Sequence, residues 1–100
     1  MNIPIAATSD VPAGKMIGVN KNGKDILVAN VNGTYYAIGN VCTHMGCNLS
    51  DGILTREKVE CPCHGSIFDV RTGAVVQGPA LYPEQSFKLT VENGQILISM

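Results

Sequence analysis

Charge is scarce in this chain, and long apolar runs are missing. Only 15% of the 100 residues are charged, the net charge is −1, and like charges never gather into a run. That argues against a disordered tail, which needs charge to stay solvated. The few basic residues are scattered, so there is no electrostatic footprint for nucleic acid and no polybasic patch for a membrane surface. No apolar run approaches the roughly 20 residues that span a bilayer. The opening Met1-Asn2-Ile3-Pro4-Ile5 has neither a basic segment nor a following apolar stretch, unlike a signal peptide. A soluble, cytoplasmic protein with no direct membrane insertion is expected. Catalytic patterns are missing too: there is no Ser-His-Asp order and no phosphate-binding loop. Cysteine and histidine are absent outside positions 42 to 64.

What is present is β-structure. Short β-branched or aliphatic runs at Lys15 to Val19, Asp25 to Val31 and Thr34 to Ile38 are separated by Asn20-Lys21-Asn22-Gly23 and by Asn32-Gly33. Asn-Gly between apolar runs predicts a hairpin, because both central residues of a type I′ turn need positive φ. The device recurs near the end, where Asn93-Gly94 separates Ser86 to Val91 from Gln95 to Ser99. Alternation at Phe87, Leu89 and Val91, and at Ile96 and Ile98, predicts strands with one buried face. Residues 40 to 80 differ, being rich in Gly, Cys, His and Pro. Short strands are expected there at Lys58 to Glu60, Ser66 to Asp69 and Ala74 to Val76, the last two joined by a tight turn over Asp69 to Gly73. Single helical turns are conceivable only at Ala6 to Val11 and Leu81 to Gln85. The pattern predicts an all-β base built from both ends of one small domain, with a metal-binding insert between them.

That insert holds four cysteines and two histidines. A disulfide scaffold usually spreads its cysteines along the chain, whereas clustering with histidine points to metal. One loop reads Cys42-Thr43-His44-Met45-Gly46-Cys47, the other Cys61-Pro62-Cys63-His64-Gly65-Ser66. Gly46, Pro62 and Gly65 supply the turning residues that let each Cys and His converge. On spacing alone, a structural Cys₂His₂ zinc site competes with an iron–sulfur site.

The C-x-H and C-x-x-H pair, with its flanks Asn48 to Gly52 and Phe68 to Gly73, strongly resembles the Rieske iron–sulfur family. The N-terminal hairpins resemble those of small soluble Rieske ferredoxins, so the likeness covers nearly the whole chain. It moves the reading from zinc to one [2Fe–2S] cluster. It implies that Cys42 and Cys61 bind one iron and that His44 and His64 bind the other. Two thiolates and two neutral imidazoles leave the oxidised assembly formally neutral, so an added electron meets less repulsion than with four thiolates. Such ligation raises the potential from roughly −400 mV to about −150 to +300 mV. The fold implied is an all-β Rieske domain over residues 1–100. Its antiparallel β-sandwich base would comprise 1–40 and 80–100, and its cluster-binding subdomain about 40–80.

Further expectations rest on the same resemblance. Rieske proteins of quinol-oxidising cytochrome bc complexes carry cysteines where Cys47 and Cys63 stand and join them, so a Cys47–Cys63 disulfide is expected; a reduced thiol pair is the alternative. Ser66 and Phe68 occupy potential-tuning positions, where the high-potential branch has Ser and Tyr. Phe68 has no hydroxyl, which predicts a potential between that branch and the simple oxygenase ferredoxins. Ser66 as a mere turn residue is the plainer reading. Met45, Gly78 and Pro79 would cover the cluster. The tyrosines have no evident role beyond core and rim, and Asp51, Asp69 and Glu84 read as turn and surface residues. The implied function is a monomeric one-electron carrier, not an enzyme, passing electrons transiently from a reductase to an oxygenase or other acceptor. The alternatives are a subunit of a larger redox complex, such as a nitrite reductase small subunit or a quinol-oxidising assembly, and a metal-stabilised interaction module without a redox role.

Overall fold

The structure is a computed structural model that describes residues 2–43, 46–63 and 65–99. Three antiparallel sheets account for its strands. The first pairs β1 (Asn2–Ala7), β11 (Gln95–Ser99) and β10 (Leu89–Glu92) in that order. The second runs β2 (Met16–Lys21), β3 (Lys24–Val31), β4 (Thr34–Gly39) and β9 (Ser86–Phe87). The third runs β5 (Ile53–Thr55), β6 (Lys58–Glu60), β7 (Ile67–Asp69) and β8 (Val75–Gln77).

Three hairpins turn where the Asn-Gly pairs stand. Asn22, Asn32 and Asn93 have φ of 53°, 53° and 50°, and the glycines after them 79°, 90° and 75°. Positive φ at both positions is the type I′ geometry whose twist matches the flanking strands. The first turn is tighter than its four-residue signal, since β2 continues to Lys21 and pairs with Lys24.

The centre of the molecule is β3. Its Ile26, Leu27, Val28 and Ala29 are all fully buried, a continuous apolar run such as a strand covered on both faces requires. Ile26 and Val28 join Val11, Ala37, Ile96 and Ile98 in one core. Leu27 and Ala29 join Ile38, Leu49, Val59, Phe68, Val70, Ala80, Cys42 and Cys61 in the other. The first core faces the β1-β11-β10 sheet, and the second holds the β5-to-β8 sheet and both loops. Each fully buried aliphatic side chain contributes roughly 1.5–3 kcal/mol.

Three expectations need correction. Ser86 to Val91 is not one strand: it breaks at Lys88, its first part pairing with β4 and its second with β11. A strand crossing between sheets cannot keep one face buried, so Val91 is 48% exposed despite the alternation. Leu81 to Gln85 makes no helical turn, whereas Thr8–Asp10 within the N-terminal candidate is a 3₁₀ turn. Two strands carried no sequence signal strong enough to find them. Strand β1 contains a proline but lies at a sheet edge, where proline is tolerated. Strand β5 has only three residues.

Candidate metal centre

The two Cys-His loops have the same backbone design. In the first, Cys42 N–H donates to Cys47 O (2.7 Å) and Gly46 N–H donates to Cys42 O (2.9 Å). In the second, Cys61 N–H donates to Ser66 O (2.7 Å) and Gly65 N–H donates to Cys61 O (3.2 Å). Gly46 and Gly65 occupy the matching position with φ of 75° and 77°, a region that side chains with a Cβ enter only at a cost. Each loop therefore closes on the backbone of its first cysteine. A bridge between Val41 and Asn48 clamps the base of the first loop, and the β6–β7 hairpin carries the second.

Cys42 and Cys61 are each 2% exposed and stand outside any disulfide. Both sit in the apolar core under β3. Cys47 and Cys63 form a disulfide, their Cα atoms 6.5 Å apart, so the end of one loop is covalently tied to the middle of the other. His44, His64 and Met45 lie outside the described residues. Among the described residues there is no group of three or more His, Cys, Asp or Glu side chains able to hold a metal ion. Two buried cysteines at matched positions of twin loops, each loop also carrying a histidine in sequence, are a donor set that fits a sulfur- and nitrogen-ligated cluster.

A third segment, residues 78 to 85, braces both loops. The buried Ser66 hydroxyl accepts a hydrogen bond from Ala80 N–H (3.0 Å), leaving its own proton available to donate. Ala80 is buried, while Gly78 and Pro79 are exposed. Thr43, between Cys42 and His44, donates its hydroxyl to Tyr82 O (2.7 Å) and its N–H to Glu84 Oε2 (3.1 Å). Glu84 is thus no surface residue: it is 8% exposed, and burial pushes its carboxyl up to about 7, offset only in part by the Thr43 amide. Sequence reading missed it because its partner lies 41 residues away and nothing local marks it. It also missed Asn40, a buried side chain that donates to Ser50 Oγ (3.0 Å) and accepts from Ser50 N–H (2.8 Å), fixing the chain beyond the first loop. Phe68 is fully buried, paired with Val59 across β6 and β7. Asp69 does lie in the expected turn, where the Arg71 side chain bonds it through Nε (3.1 Å) and Nη2 (2.8 Å) and holds its carboxyl below the usual range.

An all-β scaffold presenting twin cysteine loops defines a protein built around a bound metal group. The Rieske [2Fe-2S] domain matches residues 1–89. The chain belongs to that family, whose group is one [2Fe–2S] cluster. It is 37% identical over 98 residues to the ferredoxin component of naphthalene 1,2-dioxygenase/salicylate 5-hydroxylase systems from a Ralstonia species, covering 98% of this chain and 94% of the relative. Among solved structures, the Sphingomonas yanoikuyae B1 ferredoxin superposes with a TM-score of 0.95 at 30% identity, covering 100% of this chain and 99% of the other. The ferredoxin in a complex of reduced oxygenase and oxidised ferredoxin in carbazole 1,9a-dioxygenase superposes with a TM-score of 0.92 at 32% identity, covering 98% and 92%. No helix among the described residues is long and apolar enough to cross a membrane.

Proposed function

We propose that this chain is a one-electron carrier that takes an electron from a reductase and passes it to an oxygenase, without catalysing the oxidation itself. The observation that carries the reading is the pair of matched loops burying Cys42 and Cys61, in a chain similar over its whole length to dioxygenase ferredoxin components. Cys42 and Cys61 would hold one iron, His44 and His64 the other. When bound, the cluster supplies a site that gains and loses one electron at moderate potential. The chain's own residues do the rest. The apolar core under β3 excludes water from the cysteines, and the disulfide keeps the loops in register. Residues 1–40 and 80–100 form the base of a single domain, and about 40–80 its cluster-binding part.

Leu81 and Tyr82, 82% and 69% exposed, stand on the segment bonded to Thr43. They would form the apolar part of the face that a partner meets, with Met45, Gly78 and Pro79 covering the cluster beside them. A small, weakly held interface suits a shuttle, and a monomer in the cytoplasm suits the same role. Cys47 and Cys63, joined in a disulfide, would correspond to the cysteine pair of the quinol-oxidising branch, and Ser66 would keep that branch's hydroxyl while Phe68 lacks the second. A potential between the two branches follows.

Potentiometric titration of the purified protein, followed by electron paramagnetic resonance, tests this. A reversible one-electron transition with acid-labile sulfide present is expected. A colourless protein containing zinc and no sulfide would end the reading.

A further inference from the structure

Charge is spread unevenly over this chain. Residues 41–50, 61–68 and 72–83 contain no Asp, Glu, Lys or Arg. The fold brings these three stretches together. The Cys47–Cys63 disulfide ties the first to the second, Ser66 Oγ in the second accepts from Ala80 N–H in the third, and the Thr43 hydroxyl donates to Tyr82 O. The face that carries both loops is therefore built from uncharged segments. Of the charged residues that adjoin them in the chain, Glu84 is buried, and Asp69 and Arg71 pair with each other. Asp51 stands on the 3₁₀ turn Leu49–Asp51 and Glu60 on β6, both outside the loops. Lys24 and Asp25, opposite in sign, line an open groove beside Val41.

The same segments put apolar side chains into water. Leu81 and Tyr82 are neighbours and the two most exposed large hydrophobic residues of the described chain, and Pro79 and Pro83 are exposed on either side of them. Their segment belongs to no strand or helix, yet its backbone is fixed at three points. Ala80 N–H bonds Ser66, Tyr82 O takes the Thr43 hydroxyl, and Glu84 N–H donates to Gly73 O (2.8 Å). Covering side chains on a backbone already held costs less ordering entropy than covering a loose loop. Cores of protein interfaces are depleted in charge and enriched in aromatic residues. A lipid surface fits less well, because these segments offer no Lys or Arg to anionic headgroups.

We propose that this face docks on a surface of the oxygenase that is itself apolar and uncharged, and that the complex forms without electrostatic steering. The inference deepens the carrier reading and rests on it. Leu81 and Tyr82 are the anchors that the oxygenase covers. A complex steered by charge loses association rate steeply as salt rises. With no charge supplied by the loop segments, and with two thiolates and two neutral imidazoles leaving the oxidised ligand set formally neutral, this one has almost nothing for salt to screen. Its affinity comes from apolar surface removed from water, which salt leaves in place.

The first test needs no partner. Stopped-flow reduction of the oxidised holoprotein is followed with an anionic donor, dithionite, and a cationic one, reduced methyl viologen, from about 20 to about 500 mM salt. Both rates should change by no more than about twofold. Leu81→Glu should restore a dependence, slowing dithionite at low salt and speeding methyl viologen. Opposite trends of about threefold or more in the parent would reveal a charged face and overturn the inference. The second test is titration calorimetry of the oxidised protein against an oxygenase that it reduces. The dissociation constant should hold within about twofold over the same salt range, with a negative heat-capacity change that marks apolar burial. Leu81→Ala should weaken binding about tenfold, as expected for one aliphatic side chain left uncovered. A tenfold loss of affinity with salt, an unchanged Leu81→Ala, or co-sedimentation of the parent with phosphatidylcholine–phosphatidylglycerol vesicles would each overturn it. A parent without acid-labile sulfide would instead overturn the proposed function.

Discussion

The two faces of β3 support different kinds of structure. On one face, Ile26 and Val28 pack against strands joined by short Asn-Gly hairpins. On the other, Leu27 and Ala29 cover two loops and a short-stranded sheet held by long-range contacts: Thr43 to Glu84, Ser66 to Ala80, and the Cys47–Cys63 disulfide. The turns of the base follow local rules, although its β1–β11 pairing joins the two ends of the chain, whereas both loops of the metal centre are held by groups from outside the loop itself.

The sharpest way to break this comparison is at the cysteines. Cys42→Ser or Cys61→Ser should abolish the visible absorbance of the cluster, while far-ultraviolet circular dichroism keeps the signal of the β1–β4 and β9–β11 strands. Global unfolding in either variant would mean that the two regions are one cooperative unit. Next come the paired truncations Ile26→Ala and Leu27→Ala. Both remove a fully buried side chain, and each should cost about 2–5 kcal/mol in denaturant unfolding. Only Leu27→Ala, which opens the core around Cys42 and Cys61, should also speed cluster loss to a chelator. Equal rates of loss would dissolve the distinction between the faces.

Cys47→Ala with Cys63→Ala sharpens it further. The bridge spans 16 positions, a loop length at which closure contributes about 3 kcal/mol by chain entropy. The cluster would close nearly the same loop through Cys42 and Cys61. The pair should thus cost close to that amount in the cluster-free protein and clearly less in the loaded one. Phe68→Tyr should raise the potential if the added hydroxyl reaches the cluster. The ring is fully buried, so seating the extra atom should cost about 1–3 kcal/mol.

Glu84 supplies a pH test of the distant contacts. Its folded value, about 7, lies above the 4.5 of a free glutamate. The folded state therefore binds the extra proton, and stability is greatest below about pH 4.5 as far as this group is concerned. It declines as pH rises toward and through 7. Glu84→Gln should remove that decline, leaving the variant more stable than the parent at alkaline pH by on the order of 1–2 kcal/mol, allowing for water in the groove. Thermal melts at several pH values read this directly, and a parent with no alkaline decline contradicts the burial argument.

The same contrast explains what was legible in the sequence. All three Asn-Gly turns stand where their dipeptides predict, because a residue pair alone specifies that geometry. The strands Lys58–Glu60 and Gln95–Ser99 match the expected bounds. The Cys47–Cys63 bond was foreseen through family resemblance, not from any local rule. Glu84, Asn40 and the crossing at Lys88 were missed, since each depends on a partner in another part of the chain. Alternation in Phe87, Leu89 and Val91 misled for that reason: the period was read correctly, but the sheet changes beneath it.

The smallest effect expected belongs to Asp69 and Arg71, a local pair within the otherwise long-range half. Arg71 bonds Asp69 through both Nε and Nη2, yet its side chain is 52% exposed, and exposed pairs typically contribute less than 1 kcal/mol. The guanidinium's hydrogen bonds hold the Asp69 carboxyl below 3.8, so the stabilisation is present above that pH and fades as acid protonates the folded form. Arg71→Ala should lower stability only slightly at neutral pH, with the difference vanishing in strong acid and the cluster spectrum unchanged. The backbone of the turn is held independently, by Gly73 N–H on Asp69 O (2.7 Å). A shifted potential or faster cluster loss in Arg71→Ala would mean that this turn is coupled to the metal centre, and that even the most local element of this half takes its geometry from the loops.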